Sequence, residues 1–147
     1  VQSPAPRPFR DDDISAIVAL WDAAALTRPW NDPQADIALC ARNPSSALFV
    51  AAEPAGEIVA TVMCGFDGHR GWIYYLAVAP RHRGTGLGRR MVAHAEQWLA
   101  GLGAPKVELM VRDGNDAARA FYERIGYAVE TVFVMSRWLT PRGAREA

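Results

Sequence analysis

Cysteine is almost missing from this chain: Cys40 and Cys64 are the only two in 147 residues. Two thiols supply neither a disulfide framework nor a four-ligand zinc site, so we expect buried, reduced side chains in a cytoplasmic protein. The histidines number only three, at positions 69, 82 and 94, and their spacing matches no metal-ligand pattern. No apolar run approaches the roughly 20 residues that cross a bilayer. The opening "VQSPAPRPFR" lacks both an initiating Met and the apolar core of a signal peptide, as expected of a trimmed, soluble chain. Excess charge is missing too, since the formal net charge is zero. The whole surface therefore has no electrostatic reason to seek nucleic acid or a membrane, and any anion site must be local.

What is present is ordinary globular composition, 50% hydrophobic and 22% charged, at the size of one domain. We expect a single domain over residues 1–147, with loose tails at 1–7 and 140–147. A short strand is expected around Pro8 to Arg10. In "DDDISAIVALWDAAAL", Ile14, Ile17, Val18 and Trp21 share one helical face behind Asp N-caps. Asp32 before Pro33 marks the start of a second helix. "ALFVAAE", "EIVATVMCGF" and "WIYYLAV" read as three strands of an antiparallel meander, with turns at Pro54-Ala55-Gly56 and "DGHRG".

Beyond Pro80, Leu87, Met91, Val92, Ala95, Trp98, Leu99 and Leu102 recur at helical spacing up to a stop at Gly103. "KVELMV" follows as a strand and "NDAARAFYERIGY" as an amphipathic helix closed by Gly126. "VETVFVMSRWL" is expected to supply one or two last strands, with an exposed edge near 128–138 that could pair two subunits as a homodimer.

The densest chemistry lies in "RHRGTGLGRR", residues 81–90, with three glycines among five cationic or potentially cationic side chains. Glycines between a strand and a helix let backbone N–H groups approach an anion, with no Cβ in the way. Arg83 and Arg89, with Arg81, His82 and Arg90 nearby, add charge-assisted contacts. Together they predict a diphosphate cradle. The phosphate loop of ATPases is excluded, because no Lys-Ser or Lys-Thr pair follows the glycines. A dinucleotide fold is disfavoured because this loop follows an antiparallel meander in mid-chain.

"VAPRHRGTGLGRRMV" resembles the acyl-CoA pyrophosphate motif of the GNAT superfamily of N-acetyltransferases, [QR]-x-x-G-x-[GA], through Arg83, Gly84, Thr85, Gly86, Leu87 and Gly88. "NDAARAFYERIGY" resembles that family's second motif, in the family's order and spacing. "LTRPWNDP", "TVMCGFDGHRG" and "YYLAVAP" are further similar to a bacterial YpeA-type subgroup.

The resemblance implies an α/β (α+β) fold with a mixed, mostly antiparallel sheet of six or seven strands. About four helices flank it, and its fourth and fifth strands splay to hold acetyl-CoA. It also implies acetyl transfer to a primary amine of a small molecule, peptide or protein, by direct attack in a ternary complex. Neither cysteine sits in a nucleophilic arrangement, so no acetyl-enzyme is expected. The different-class alternative is a non-catalytic acyl-CoA-binding or sensing module.

The resemblance further implies that Leu76, Ala77 and Val78 pair through their backbone with the pantetheine arm, opposite Asn115 and Ala118. Tyr122 matches the general acid that hydrogen-bonds or protonates the leaving thiolate, and Asn115 is independently a good helix N-cap. A backbone N–H near Val78 is expected to meet the oxyanion. Where ribosomal-protein N-terminal acetyltransferases read "LEVR", this sequence reads "LMVR", with Met110 in place of the base. Glu108, two residues earlier on the same strand face, is the substitute candidate, acting through water. A base or water chain is needed, since freeing a lysine ε-amine of its proton at neutral pH costs about 4 kcal/mol. Trp30 and Asn31, Asp67 and His69, and Tyr74 are the candidates for the acceptor side, Asp67 and His69 as a proton relay; Trp30 could equally be a lid over the core and His69 a turn residue in solvent.

Overall fold

The computed structural model describes residues 3–141. The elements run β1 (Arg7–Pro8), α1 (Ile14–Ala23), α2 (Pro33–Ala41), β2 (Ser46–Ala52), β3 (Ile58–Phe66), β4 (Gly71–Val78), α3 (Leu87–Gly101), β5 (Val107–Leu109) and α4 (Asp116–Arg124). They build one five-stranded sheet in chain order, antiparallel from β1 to β4, with β5 parallel to β4. This is the expected mixed sheet with four helices, one or two strands short among the described residues.

The missing strands fall at 127–138, where no residue is in a helix or paired as a strand. The β-rich composition of "VETVFVMSRWL" is real, but a strand exists only where a neighbouring edge accepts its hydrogen bonds. At the other end, the Arg90 guanidinium donates to the carbonyls of Ser3 and Pro4. The expected loose tail beyond residue 141 lies outside the described residues.

Both faces of the central strands are covered, which is why β3 is apolar almost throughout instead of alternating. Phe49 and Val62 are register partners, and Phe49 packs edge-on against His94 and Trp98 of α3. Val50 and Thr61, one position along, face the opposite side, where α1 lies. α1 buries Ile17, Leu20 and Trp21, and α3 buries Leu87, Met91, Val92, Ala95 and Leu99, as helical spacing predicts. Asp32 caps α2 by accepting from the Gln34 and Ala35 amides at 3.1 and 3.2 Å.

Thr61 is the single polar residue in this core, wholly buried. Its hydroxyl accepts from the Trp21 indole at 2.9 Å and donates to the Tyr75 carbonyl at 2.8 Å. Tyr75 is stacked on Trp21 with ring centroids 3.7 Å apart, and its φ of 51° is in the left-handed region. The β3–β4 register slips here, so that Tyr75 and Leu76 together oppose Val62. This is a β-bulge held by a buried hydroxyl. Thr61→Val keeps the shape but orphans a buried donor and acceptor. We expect a loss of about 3 kcal/mol of stability, read as a melting temperature lower by roughly 6–12 °C.

Candidate active site

β4 and β5 pair only from Gly71 to Ile73 against Val107 to Leu109. Beyond that point the two strands part, and the β5-facing backbone of β4 has no strand partner, Leu76 to Val78 included. The splay opens at the place where the bulge turns β4 and where α3 and α4 begin. A groove of about 1160 Å³ runs through it, lined by Tyr74, Tyr75, Leu76, Asn115, Ala118 and Tyr122 among others.

The glycine loop ends at the N-terminus of α3. Gly84 and Gly86 have φ of 74° and 86°, and a Cβ on either would meet nothing within 4 Å. Gly88 differs: a Cβ there would lie in ordinary contact with Phe121 and Val78 at 3.4 and 3.5 Å, which marks where the start of α3 packs on β4 and α4. α2 and α4 are capped by Asp32 and Asn115, whereas α3 has no side-chain cap and no acidic residue in its first turn. Its first N–H groups are therefore left to a ligand or solvent.

The cations of 81–90 divide sharply. Arg81 is bound to Glu53 and Glu57 at 3.1 and 2.7 Å, and His82 Nε2 lies 2.6 Å from Glu53, holding that carboxyl below its usual range. Arg90 is spent on Ser3 and Pro4. Arg83 reaches back to the Val78 carbonyl at 3.4 Å, and Arg89 has no ion pair among the described residues. Arg83 and Arg89 are thus the two left for an anion. Thr85 fixes the loop by donating to the His82 carbonyl.

Of the four tyrosines, two have engaged hydroxyls: Tyr75 donates to Asp36 at 2.6 Å and Tyr127 to Glu96 at 2.7 Å. Tyr122 has none among the described residues. Burial pushes its phenol up to about 12, and its ring is wedged between Phe121 and Tyr127. The phenol is protonated throughout the physiological range and free to donate. Asn115 plays the capping role by accepting from the Ala118 amide at 3.2 Å, and it also lines the groove.

The other candidates are dispersed. Glu108 is 3.5 Å from Arg70 and 3.7 Å from Lys106, so two cations claim its lone pairs, and it lines an adjoining groove of about 790 Å³ along β5 instead of the one beside Tyr74 to Leu76. Asp67 accepts from the His69 and Arg70 amides at 2.8 and 2.7 Å and from the Trp72 indole at 3.2 Å. Those amides hold it below its ordinary range as the anchor of a turn, and the His69 ring has no partner among the described residues. Asn31 lines the groove, while Trp30 carries the Arg112 guanidinium 5.6 Å from its ring centroid. Tyr74 faces the groove, 42% exposed. Cys64 is pushed up to about 12 by burial and Cys40 is raised likewise, so both are inert thiols.

Sequence reasoning missed Asp36, which brings a carboxylate into the groove beside Tyr75. Only the tertiary approach of α2 to β4 places it there.

The chain matches the Acetyltransferase (GNAT) family over residues 15–127. It belongs to that family. It is 48% identical over 126 residues to an acetyltransferase of Pectobacterium atrosepticum and 44% over 124 residues to one of Sodalis glossinidius. These alignments cover 86% and 84% of this chain, and 87% of each relative. The fold is similar to that of AAC(6')-Iy in complex with the bisubstrate analogue CoA-S-monomethyl-acetylneamine. The TM-score there is 0.78 at 14% identity, covering 93% of this chain and all of that one. Glucosamine-6-phosphate N-acetyltransferase of Arabidopsis thaliana gives 0.73 at 20% identity, covering 95% of this chain and all of that one. The protein is thus a GNAT N-acetyltransferase that uses acyl-CoA and an amine-bearing acceptor.

Proposed function

We propose that the protein transfers an acetyl group from acetyl-CoA to a primary amine by direct attack, with both substrates in the β4–β5 groove. The observation that carries this reading is the uncapped N-terminus of α3, with two arginines that make no ion pair among the described residues, packed at Gly88 against Phe121, the neighbour of the half-buried Tyr122 phenol. The α3 amides, Gly84, Gly86, Arg83 and Arg89 suit a diphosphate, and the bare glycines leave room for it. The backbone of Leu76 to Val78 on the side facing β5, where it has no strand partner, suits an extended pantetheine amide chain, with Asn115 and Ala118 opposite. Acetyl-CoA supplies an activated thioester carbonyl.

The chain's own groups supply the rest. Tyr122 donates a hydrogen bond to the departing sulfur. With its pKa raised to about 12 against roughly 8.5 for a thiol, complete proton transfer is uphill by about 5 kcal/mol, so it acts as a neutral donor. A β4 backbone N–H near Val78 faces the developing oxyanion. Glu108 is a poor base in this reading, since its ion pairs hold it in the other groove.

Asp36 and Tyr75 form the polar end of the acceptor side, with Tyr74 and Asn31 along the wall. A carboxylate there favours a cationic acceptor that arrives protonated and loses its proton to water in the groove. Asp36→Asn tests this assignment: KM for cationic amines should rise about tenfold while acetyl-CoA affinity stays level. An unchanged KM across amines of different charge would remove Asp36 from acceptor binding.

A further inference from the structure

Four charged side chains line the acyl-transfer groove: Arg28, Asp36, Asp67 and Arg112. Both carboxylates are engaged. Asp67 accepts from two amides and an indole, and Asp36 accepts from the Tyr75 hydroxyl. The two arginines lack such a match: among the described residues, no ion pair reaches Arg28 or Arg112.

Both guanidiniums are nonetheless held in place. Arg28 is half-buried in the loop between α1 and α2, and its Nη1 donates to the Ala25 and Thr27 carbonyls at 2.8 and 2.9 Å. The loop around it is ordered: Ala25 takes a φ of 56°, Thr27 donates to Asp22 at 2.9 Å, and the Asn31 amide closes a turn on the Arg28 carbonyl at 3.0 Å. Arg112 follows β5 in the loop that leads to α4, and lies over the Trp30 ring, 5.6 Å from its centroid. Stacking occupies the face of a guanidinium and leaves its N–H fork open to an anion. Trp30 is two residues from Arg28, so this contact draws the two loops together and brings both cations to the same part of the groove. Two like charges gathered there repel each other until an anion joins them.

We propose that Arg28 and Arg112 bind an oxyanion carried by the acceptor, so that the substrate is a zwitterion: a primary amine joined to a carboxylate or a phosphate. The proposal rests on acetyl transfer to an amine in this groove. The groove's charges then sort by partner. Asp36, beside Tyr75, faces the ammonium end, and the two arginines face the anionic end. Holding both ends fixes which way round a small acceptor lies, so that its amine meets the thioester. It also sets discrimination, since a simple alkylamine leaves both guanidiniums unpaired and a polyamine brings them a second positive charge.

Two matched pairs of acceptors test the proposal and name the oxyanion: leucine against leucinamide for a carboxylate, and glucosamine 6-phosphate against glucosamine for a phosphate. In one pair the anionic member should exceed its neutral partner at least about tenfold in kcat/KM, the scale of hydrogen bonds to a charged group. Arg112→Gln should abolish that preference by raising KM for the anionic member alone, with acetyl-CoA affinity and circular dichroism as in wild type. Arg112→Lys, which keeps the charge and loses the fork, should restore it only in part. Equal kcat/KM within both pairs, or an Arg112→Gln loss that falls alike on anionic and neutral acceptors, would overturn the proposal. Calorimetric titration of N-acetylleucine against N-acetylleucinamide, and of the N-acetylated sugars likewise, into the CoA-bound protein reads the same preference with no chemical step. Preference there without turnover of any amine contradicts the acetyl-transfer reading alone; turnover without preference contradicts this proposal alone, and the absence of both contradicts both.

Discussion

Replacing Tyr122 by phenylalanine lowers turnover at least tenfold and leaves acetyl-CoA affinity within about twofold of wild type. The phenol's hydrogen bond matters only as sulfur gains negative charge, so its loss belongs in kcat rather than in binding. The ring itself stays, packed between Phe121 and Tyr127, and a hydroxyl with no partner among the described residues leaves no orphan behind. Stability should therefore hold or rise slightly. The pH profile adds an independent sign. Burial pushes the phenol up to about 12, so its protonated form is present across the neutral range and is lost only as pH rises through that value. An alkaline limb below that value should accordingly not belong to Tyr122, and Tyr122→Phe should retain it. Steady-state kinetics at several pH values, with calorimetric titration of acetyl-CoA, reads all of this. Equal kcat for the two proteins would remove Tyr122 from the mechanism.

Gly86→Asp is expected to weaken acetyl-CoA binding more than about a hundredfold. Gly86 is the uncapped N-cap of α3, with φ at 86° and open space where a Cβ would go. Aspartate tolerates that left-handed conformation better than most residues, at a cost of about 1 kcal/mol. The fold should survive that cost. What is lost is the ligand's position: the carboxylate repels a diphosphate at close range. Gly86→Ala separates the two effects, since it imposes only the strain of a left-handed alanine, about 1 kcal/mol, with no charge. A binding loss confined to the aspartate variant identifies an anion site; equal losses would indicate a conformational role alone.

The features legible in sequence were local ones. Asp32 before Pro33, Gly126 after α4, and the helical period of Leu87 to Leu99 each depend on a few neighbouring residues, and each lies where that chemistry puts it. The place of the glycine loop between β4 and α3 was legible for the same reason, because it is carried by ten consecutive positions.

Long-range features were not. Nothing in "IYYLAV" announces that Tyr75 takes a positive φ, because the bulge depends on Thr61, fourteen residues earlier, and on Trp21 behind it. Asp36 lies in the first turn of α2, and only the packing of that helix carries it to Tyr75. The roles of Arg81, His82 and Arg90 could not be separated from those of Arg83 and Arg89 by composition. Their sorting depends on Glu53, Glu57 and the carbonyls of Ser3 and Pro4, all distant in sequence. Glu108 shared a strand face with the position where a base was sought, but its partners Arg70 and Lys106 come from a turn and a strand end that periodicity does not join. The strand expected at 128–138 failed for a related reason: its sequence favours a strand, but pairing needs an edge within reach.

The most direct measurement is thiol release from acetyl-CoA across a panel of amines, polyamines, amino acids and short peptides. The account predicts release that requires one class of amine and falls with Tyr122→Phe. Tight acetyl-CoA binding with no release above background for any acceptor in the panel would contradict it.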